Sequence, residues 1–274
     1  MTTLAPAPPA ARFGDLVAAE WIKMRSLRST WWTLALTTLF ILGSAVTAAL
    51  ADRQNLAGTT PESRNYQGFL CFDAFPPAGY VTLMLVAGSI GAVTVAAEYG
   101  SGLIRTTTVA VPARRSVLLA KAVLLSAVWG VLGAVVSPAA FLLSQAILSG
   151  SDAGVPITHP GVLRAMAACA LVAPVCALTG LGLGALIRHG AAAVLGTCFG
   201  LLVLPMLFPV SKQWSADVNQ LMVVSAWRRL VQTWGQLPGD SIHIATVTES
   251  WAVFALWPLV TLALALLVIR RRDV

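Results

Sequence analysis

The run AMAACALVAPVCALTGLGLGALIRHGAAAVLGTCFGLLVLPMLFP, Ala165 to Pro209, decides the fold. It carries no Asp, Glu or Lys, and Arg188 with His189 divides it into two apolar windows, Ala165 to Ile187 and Gly190 to Pro209. A helix that crosses a bilayer needs about 20 largely apolar residues, and each window supplies them. Neither window alternates apolar and polar positions, as the strands of a membrane barrel do. The pair therefore reads as two antiparallel spans joined by a tight turn at Arg188 and His189, with Gly190 easing the reversal.

Four further windows of the same kind lie outward from this pair, at Trp31 to Ala51, Ala78 to Ala97, Val117 to Leu148 and Trp251 to Ile269. The third span in chain order, Val117 to Leu148, exceeds one crossing, so it tilts, bends at Pro138 or protrudes. Composition agrees: 57% of the chain is hydrophobic and 11% charged, with a mean hydropathy of +0.80, against roughly 25% charged residues in soluble domains. The fold class is all-α and polytopic, because helices satisfy their own backbone hydrogen bonds in lipid.

Lys and Arg resist translocation and mark the cytoplasmic side. With both ends inside, cytoplasmic segments hold twelve of the 18 basic residues, among them Arg114, Arg115, Lys121 and Arg188, and outer segments hold six. The pI of about 9.8 is thus a topology signal, and no basic patch interleaved with stacking aromatics points to nucleic acid. Ala49-Leu50-Ala51 has the spacing of a signal-peptidase site, but the apolar core before it is too long and begins too late. Residues 1–12, rich in Ala and Pro, read as a disordered leader, and residues 270–274 as a cytoplasmic tail.

Cys169, Cys176 and Cys198 fall inside spans and Cys71 alone lies outside, so neither zinc spacing nor an outer cysteine pair is present. His159, His189 and His243 are scattered, without the carboxylates of a metal or protease site. No nucleotide-binding phosphate loop exists either: that loop needs Gly-Lys followed by Ser or Thr, and none of Lys23, Lys121 and Lys212 follows a glycine. The expectation is a chain that is no enzyme by itself and holds no cofactor.

Before the first span, residues 13–30 place Phe13, Leu16, Val17, Trp21, Met24 and Leu27 at helical spacing, with Asp15, Glu20, Lys23 and Arg25 elsewhere. This predicts a helix lying along the membrane surface, with Trp21, Trp31 and Trp32 at the interface. Between the second and third spans, residues 98–116 begin Glu98-Tyr99-Gly100-Ser101-Gly102-Leu103-Ile104-Arg105-Thr106 and continue to Pro112, Arg114 and Arg115, with Lys121 opening the third span. Glu98 is placed to cap the segment, Gly100 and Gly102 to turn it, and Leu103, Ile104, Val109 and Val111 to offer an apolar face to a partner protein.

This loop resembles the first cytoplasmic loop of ABC-2 type permeases, in which an acidic-aromatic pair is followed by Gly, a short apolar helix, Pro, a basic residue and a Lys at the start of the third span. The run Ala19-Glu20-Trp21-Ile22-Lys23-Met24-Arg25-Ser26-Leu27-Arg28 also resembles the opening of actinobacterial members. The resemblance implies the permease subunit of a bacterial ABC exporter, in the plasma membrane, with both termini cytoplasmic. It implies a homodimer of permeases, two copies of a separate ABC ATPase carrying ATP and magnesium, and a coupling helix in the loop, borne by Glu98, Tyr99, Gly102, Leu103, Ile104, Arg105, Pro112 and Arg115. For the translocation path it suggests Met84, Phe199 and Met206, from the second and fifth spans.

Residues 210–250 form an external segment before the last span. Val218, Leu221, Met222, Ser225, Leu230 and Trp234 keep helical spacing, so one amphipathic helix from an N-cap at Ser215 to a stop at Gly235 is expected. Gly180 with Gly184 and Gly196 with Gly200 have the four-residue spacing at which helix backbones approach closely. No span carries an ionisable residue at its centre, which argues for an apolar or amphipathic cargo and against a carrier driven by an ion gradient. Such a carrier, and a noncatalytic membrane scaffold or immunity protein, are the alternatives.

Overall fold

The structure is a computed structural model that describes residues 12–56, 74–102, 113–151, 154–232 and 244–271. Among these residues it is helical, without strands, and six helices are long and apolar enough to cross a membrane. The all-α, six-span class expected from the sequence is borne out. Leu103, Ile104, Arg105 and Pro112 lie outside the described residues, as do Cys71, Trp234 and Gly235.

Helix α1, Phe13–Ser26, starts where the Arg12 amide donates to Asp15 Oδ2 at 2.9 Å. It ends at Leu27, whose extended backbone separates it from α2, Arg28–Leu56. The spans α3, Pro77–Gly100, α4, Arg114–Leu148, and α5, Val162–Ile187, follow. Span α6 covers Gly190–Leu207 and includes a π-helical turn at Phe199–Val203. Two short helices, α7, Gln213–Gln220, and α8, Val223–Val231, precede the last one, α9, Val247–Arg271. A reciprocal cap starts α9: the Thr246 amide donates to Glu249 Oε2 at 2.7 Å and the Glu249 amide to Thr246 Oγ1 at 3.2 Å.

Span α5 is the hub, packed against α3, α4 and α9, and it is the most buried of the six. Small residues allow this. A Cβ on Gly180 would strike the Gly88 carbonyl oxygen, one on Gly184 the Ala92 carbonyl oxygen, and one on Gly91 the Ala177 carbonyl oxygen, so α3 and α5 meet backbone to backbone. The second glycine pair behaves differently. Gly196 meets only Ile187 Cδ1, at 3.2 Å, and Gly200 faces open space. The span that carries them, α6, is the least buried.

The reversal between α5 and α6 occurs at the expected residues, but Gly190 is not what turns the chain. Arg188 takes the left-handed conformation, φ 60°, and Gly190 is already the first residue of α6. The Arg188 amide closes α5 onto the Gly184 carbonyl at 2.9 Å, and the His189 ring nitrogen accepts from the Ala192 amide at 3.4 Å.

The external segment also departs from expectation, with two helices in place of one. The helix starts after Lys212, so Ser215 is an interior, buried residue and not a cap. Met222 is extended and breaks the run. Asn219 fixes the break: its amide donates to the carbonyls of Pro205 and Phe208, both at 2.8 Å, and its oxygen accepts from Ser225 Oγ at 2.6 Å. The freed Leu221 carbonyl accepts from Trp257 Nε1 at 2.6 Å. Helix α8 then packs inward. Trp227 stacks on Tyr80 at 5.6 Å and its indole donates to Cys169 Sγ at 3.4 Å, while Arg164 Nε donates to the Leu230 carbonyl at 3.0 Å.

Candidate functional site

At the end of the bundle that carries α1, three helices that are far apart in sequence contribute four charged side chains to one cluster. Glu20 and Lys23 stand one turn apart on α1, on the same face. Glu98 comes from the last turn of α3 and Lys121 from the second turn of α4. Lys121 Nζ lies 2.7 Å from Glu20 Oε2 and 2.8 Å from Glu98 Oε1. Lys23 Nζ lies 2.7 Å from Glu20 Oε1 and 3.2 Å from the same Glu98 Oε1.

Each ammonium thus joins both carboxylates, and the formal charges cancel. Burial separates the two lysines: the Lys121 side chain is 3% exposed, whereas Lys23 is 51% exposed. Burial by itself would raise the Glu20 carboxyl, but the Lys121 ammonium and then Lys23 outweigh it and hold Glu20 below the usual carboxylate range. Desolvation of Lys23 is likewise outweighed by Glu20 and Glu98, which raise it above an ordinary lysine. Both groups of α1 are held in their charged forms.

Helix α1 therefore turns one carboxylate inward among apolar neighbours. Glu20 is the one buried residue of that helix, flanked by half-buried Leu16, Val17 and Met24, while Phe13, Asp15, Trp21, Ile22 and Arg25 are exposed. Apolar residues thus lie on both sides of the helix, and Glu20 is held inward by its ion pairs.

The expected cap role of Glu98 gives way to this bracing, because Glu98 sits inside the end of α3 and its carboxylate points to two ammonium groups. Beside it, the Tyr99 ring lies 4.8 Å beneath the Arg188 guanidinium, tying the end of α3 to the turn between α5 and α6. Gly102 is left-handed, φ 74°, immediately beyond α3, and its amide meets the Tyr99 carbonyl at 3.4 Å. Arg115 is exposed on the first turn of α4. Of the suggested path residues, Met84 is fully buried in the core, whereas Phe199 and Met206 are exposed on α6, so the three do not share a surface.

Sequence reasoning placed Glu20 and Lys23 in the segment before the first span and Glu98 and Lys121 in the stretch between the second and third, and missed that the two pairs meet. The available signal was local: Glu20 and Lys23 share a helical face, and Glu98 and Lys121 each stand at the edge of an apolar window.

The sequence profile of the ABC-2 family transporter protein family matches residues 16–274, from within α1 to the end of the chain. The chain belongs to the ABC-2 transporter family. It is a multi-pass membrane protein and a transport permease, of a family whose permeases are generally noncatalytic and work with an ABC ATPase. No curated relative matches at a significant level. In this ABC-2 permease, the charged cluster braces both sides of the segment that joins α3 to α4.

Proposed function

We propose that this permease forms the membrane path of an ABC exporter and receives its power stroke from a separate ATPase through residues 98–116. The observation that carries the reading is the ion cluster. Any displacement of the α3–α4 connection has to pass through Glu98 and Lys121, which are locked to each other and, through Glu20 and Lys23, to α1. Buried charge pairs have discrete arrangements, because an unpaired partner costs several kcal/mol, so such a link transmits a push as a unit. The end carrying α1 is then the cytoplasmic end, in keeping with the basic bias of those segments.

Export of an apolar or amphipathic cargo fits the lack of ionisable residues at the centres of the spans. A second copy of the chain fits the exposed apolar face of α6, with Leu195, Phe199 and Met206. Mild-detergent purification of tagged permease from its own membranes tests the reading. An ABC ATPase retained at one copy per permease supports it, and a permease that retains none, or that hydrolyses ATP by itself, opposes it.

A further inference from the structure

Above the ion cluster lies a cavity of about 410 Å³, bounded by α1, α2, α3 and α4. That volume is within the range of about 300–1,000 Å³ that holds small molecules. Glu20, Lys23, Glu98 and Lys121 form its polar end, and Ile90, Leu34, Leu124, Val128 and Trp129 line its apolar length. From Lys121 to Trp129 the wall runs about 12 Å along α4 at the helical rise. Val93, on the wall, is exposed, so the cavity opens sideways from the bundle toward the surrounding lipid.

The polar end is short of one donor. Of the four carboxylate oxygens in the cluster, Glu20 Oε1, Glu20 Oε2 and Glu98 Oε1 accept from the lysines, whereas Glu98 Oε2 is buried with no hydrogen-bond partner among the described residues. Glu98 as a whole is 9% exposed. A buried carboxylate oxygen left without a donor is costly, and the group that relieves it is an N–H or O–H donor, best a positively charged one. An anionic head group is the wrong partner for it.

We infer that this cavity binds an amphipath with a protonated amine head and a short apolar tail, the ammonium donating to Glu98 Oε2 and the tail lying between α2, α3 and α4 as far as Trp129. The long 3.2 Å contact of half-exposed Lys23 is the one that yields when a third cation arrives, since that side chain can return to water. A trimethylammonium head carries the charge but has no N–H to donate, so the site discriminates against it. Binding needs no ATPase, and its failure leaves the permease reading untouched.

The test uses the whole permease in lipid nanodiscs with a diazirine-bearing decylamine as photoprobe, and maps the adducts by mass spectrometry. Adducts are expected on 89–97 and 121–129, displaced by decylamine at least tenfold better than by decyltrimethylammonium or decanoate. Glu98→Gln should lower labelling about tenfold or more, the loss of a charge-assisted bond. Val93→Trp fills the wall without touching the ion cluster, and it should abolish labelling in a protein that unfolds like the wild type. It decides the matter if Glu98→Gln fails to fold. Adducts spread evenly over the lipid-facing residues, equal displacement by the trimethyl analogue, or unchanged labelling in Val93→Trp would each overturn the inference.

Discussion

Glu20 and Lys121 stand 101 positions apart in the chain and 2.7 Å apart in space, the closest charged contact between α1 and the spans. The contact explains why a helix with Phe13, Trp21 and Ile22 exposed stays at one place on the bundle. An apolar face alone would let it slide along the lipid surface.

The first expectation follows from the unequal burial of the two lysines. Lys121→Met leaves Glu20 and Glu98 facing each other with only half-exposed Lys23 between them, a change of the kind that costs about 3–5 kcal/mol. Lys23→Met removes a partly solvated partner and should cost about 1 kcal/mol or less. Thermal unfolding of the two variants in one detergent, beside the wild type, should show the larger fall for Lys121→Met. Equal falls would mean that the cluster does not depend on its buried member.

Acid should loosen α1, and alkali should do so only at an extreme. Glu20 is held below its ordinary value of 4.5 in the folded protein, so its contribution is complete above that pH and is lost as pH falls through the lower folded value. Lys23 is raised above 10.5, so its contribution is complete below that pH and is lost only as pH rises through the higher folded value. Between these limits the docking of α1 should not vary with pH. Hydrogen exchange of the α1 amides, corrected for intrinsic rate, should stay flat from about pH 5 to 9 and rise in acid, and Glu20→Gln should lack the acid step.

Much of this fold was legible because lipid imposes long uninterrupted apolar runs, and Arg188 and His189 divide two of them without ambiguity. What escaped were contacts between segments distant in the chain. Four-residue glycine spacing marks Gly180 and Gly196 equally, yet only Gly180 has a neighbour, Gly88, small enough to let backbones touch. The external segment was misread for a similar reason. Helical spacing continues through Leu221 and Met222, but Asn219 bonds to Pro205 and Phe208, residues that periodicity never consults. The ion cluster was hidden because charge next to an apolar window reads first as a topology marker.

The crossing of α3 and α5 should therefore be intolerant at one glycine and tolerant at another. Gly180→Val drives its Cβ into the Gly88 carbonyl and should cost about 1–3 kcal/mol or more through forced separation of the helices. Gly200→Val, with nothing within 4 Å, should cost well under half of that. Unfolding midpoints measured side by side decide it, and a Gly180→Val protein as stable as Gly200→Val would contradict the packing.

Asn219 should act as the latch of the external helices. Asn219→Ala removes three hydrogen bonds, each worth about 0.5–1.5 kcal/mol, that hold the break between α7 and α8. Cys169 lies fully buried beneath Trp227, so it reports on the lift of α8. Maleimide modification at Cys169, read by mass spectrometry, should be several-fold faster in Asn219→Ala than in the wild type. An unchanged rate would show that Arg164 and Trp227 hold α8 without the latch.

The last expectation concerns coupling, and it separates bracing from simple stability. If residues 98–116 receive the ATPase stroke, two variants should fail differently. Leu103→Asp places a charge where a partner's apolar groove is expected, so assembly with the ATPase should weaken by tenfold or more, the loss of a buried contact residue. Glu98→Gln keeps the shape of the side chain and the loop beyond it, but it removes the charge that Lys121 and Lys23 share. The complex should then still form, while ATP hydrolysis loses its response to cargo. Arg271→Gln, in the last turn of α9 and remote in sequence from the loop, serves as the control. All three are to be compared at equal expression in the same membranes, by co-purification and by cargo-stimulated hydrolysis. A Leu103→Asp protein that assembles normally together with a Glu98→Gln protein that couples normally would reduce the loop to a topological anchor, and the ion cluster to a device that only holds α1 in place.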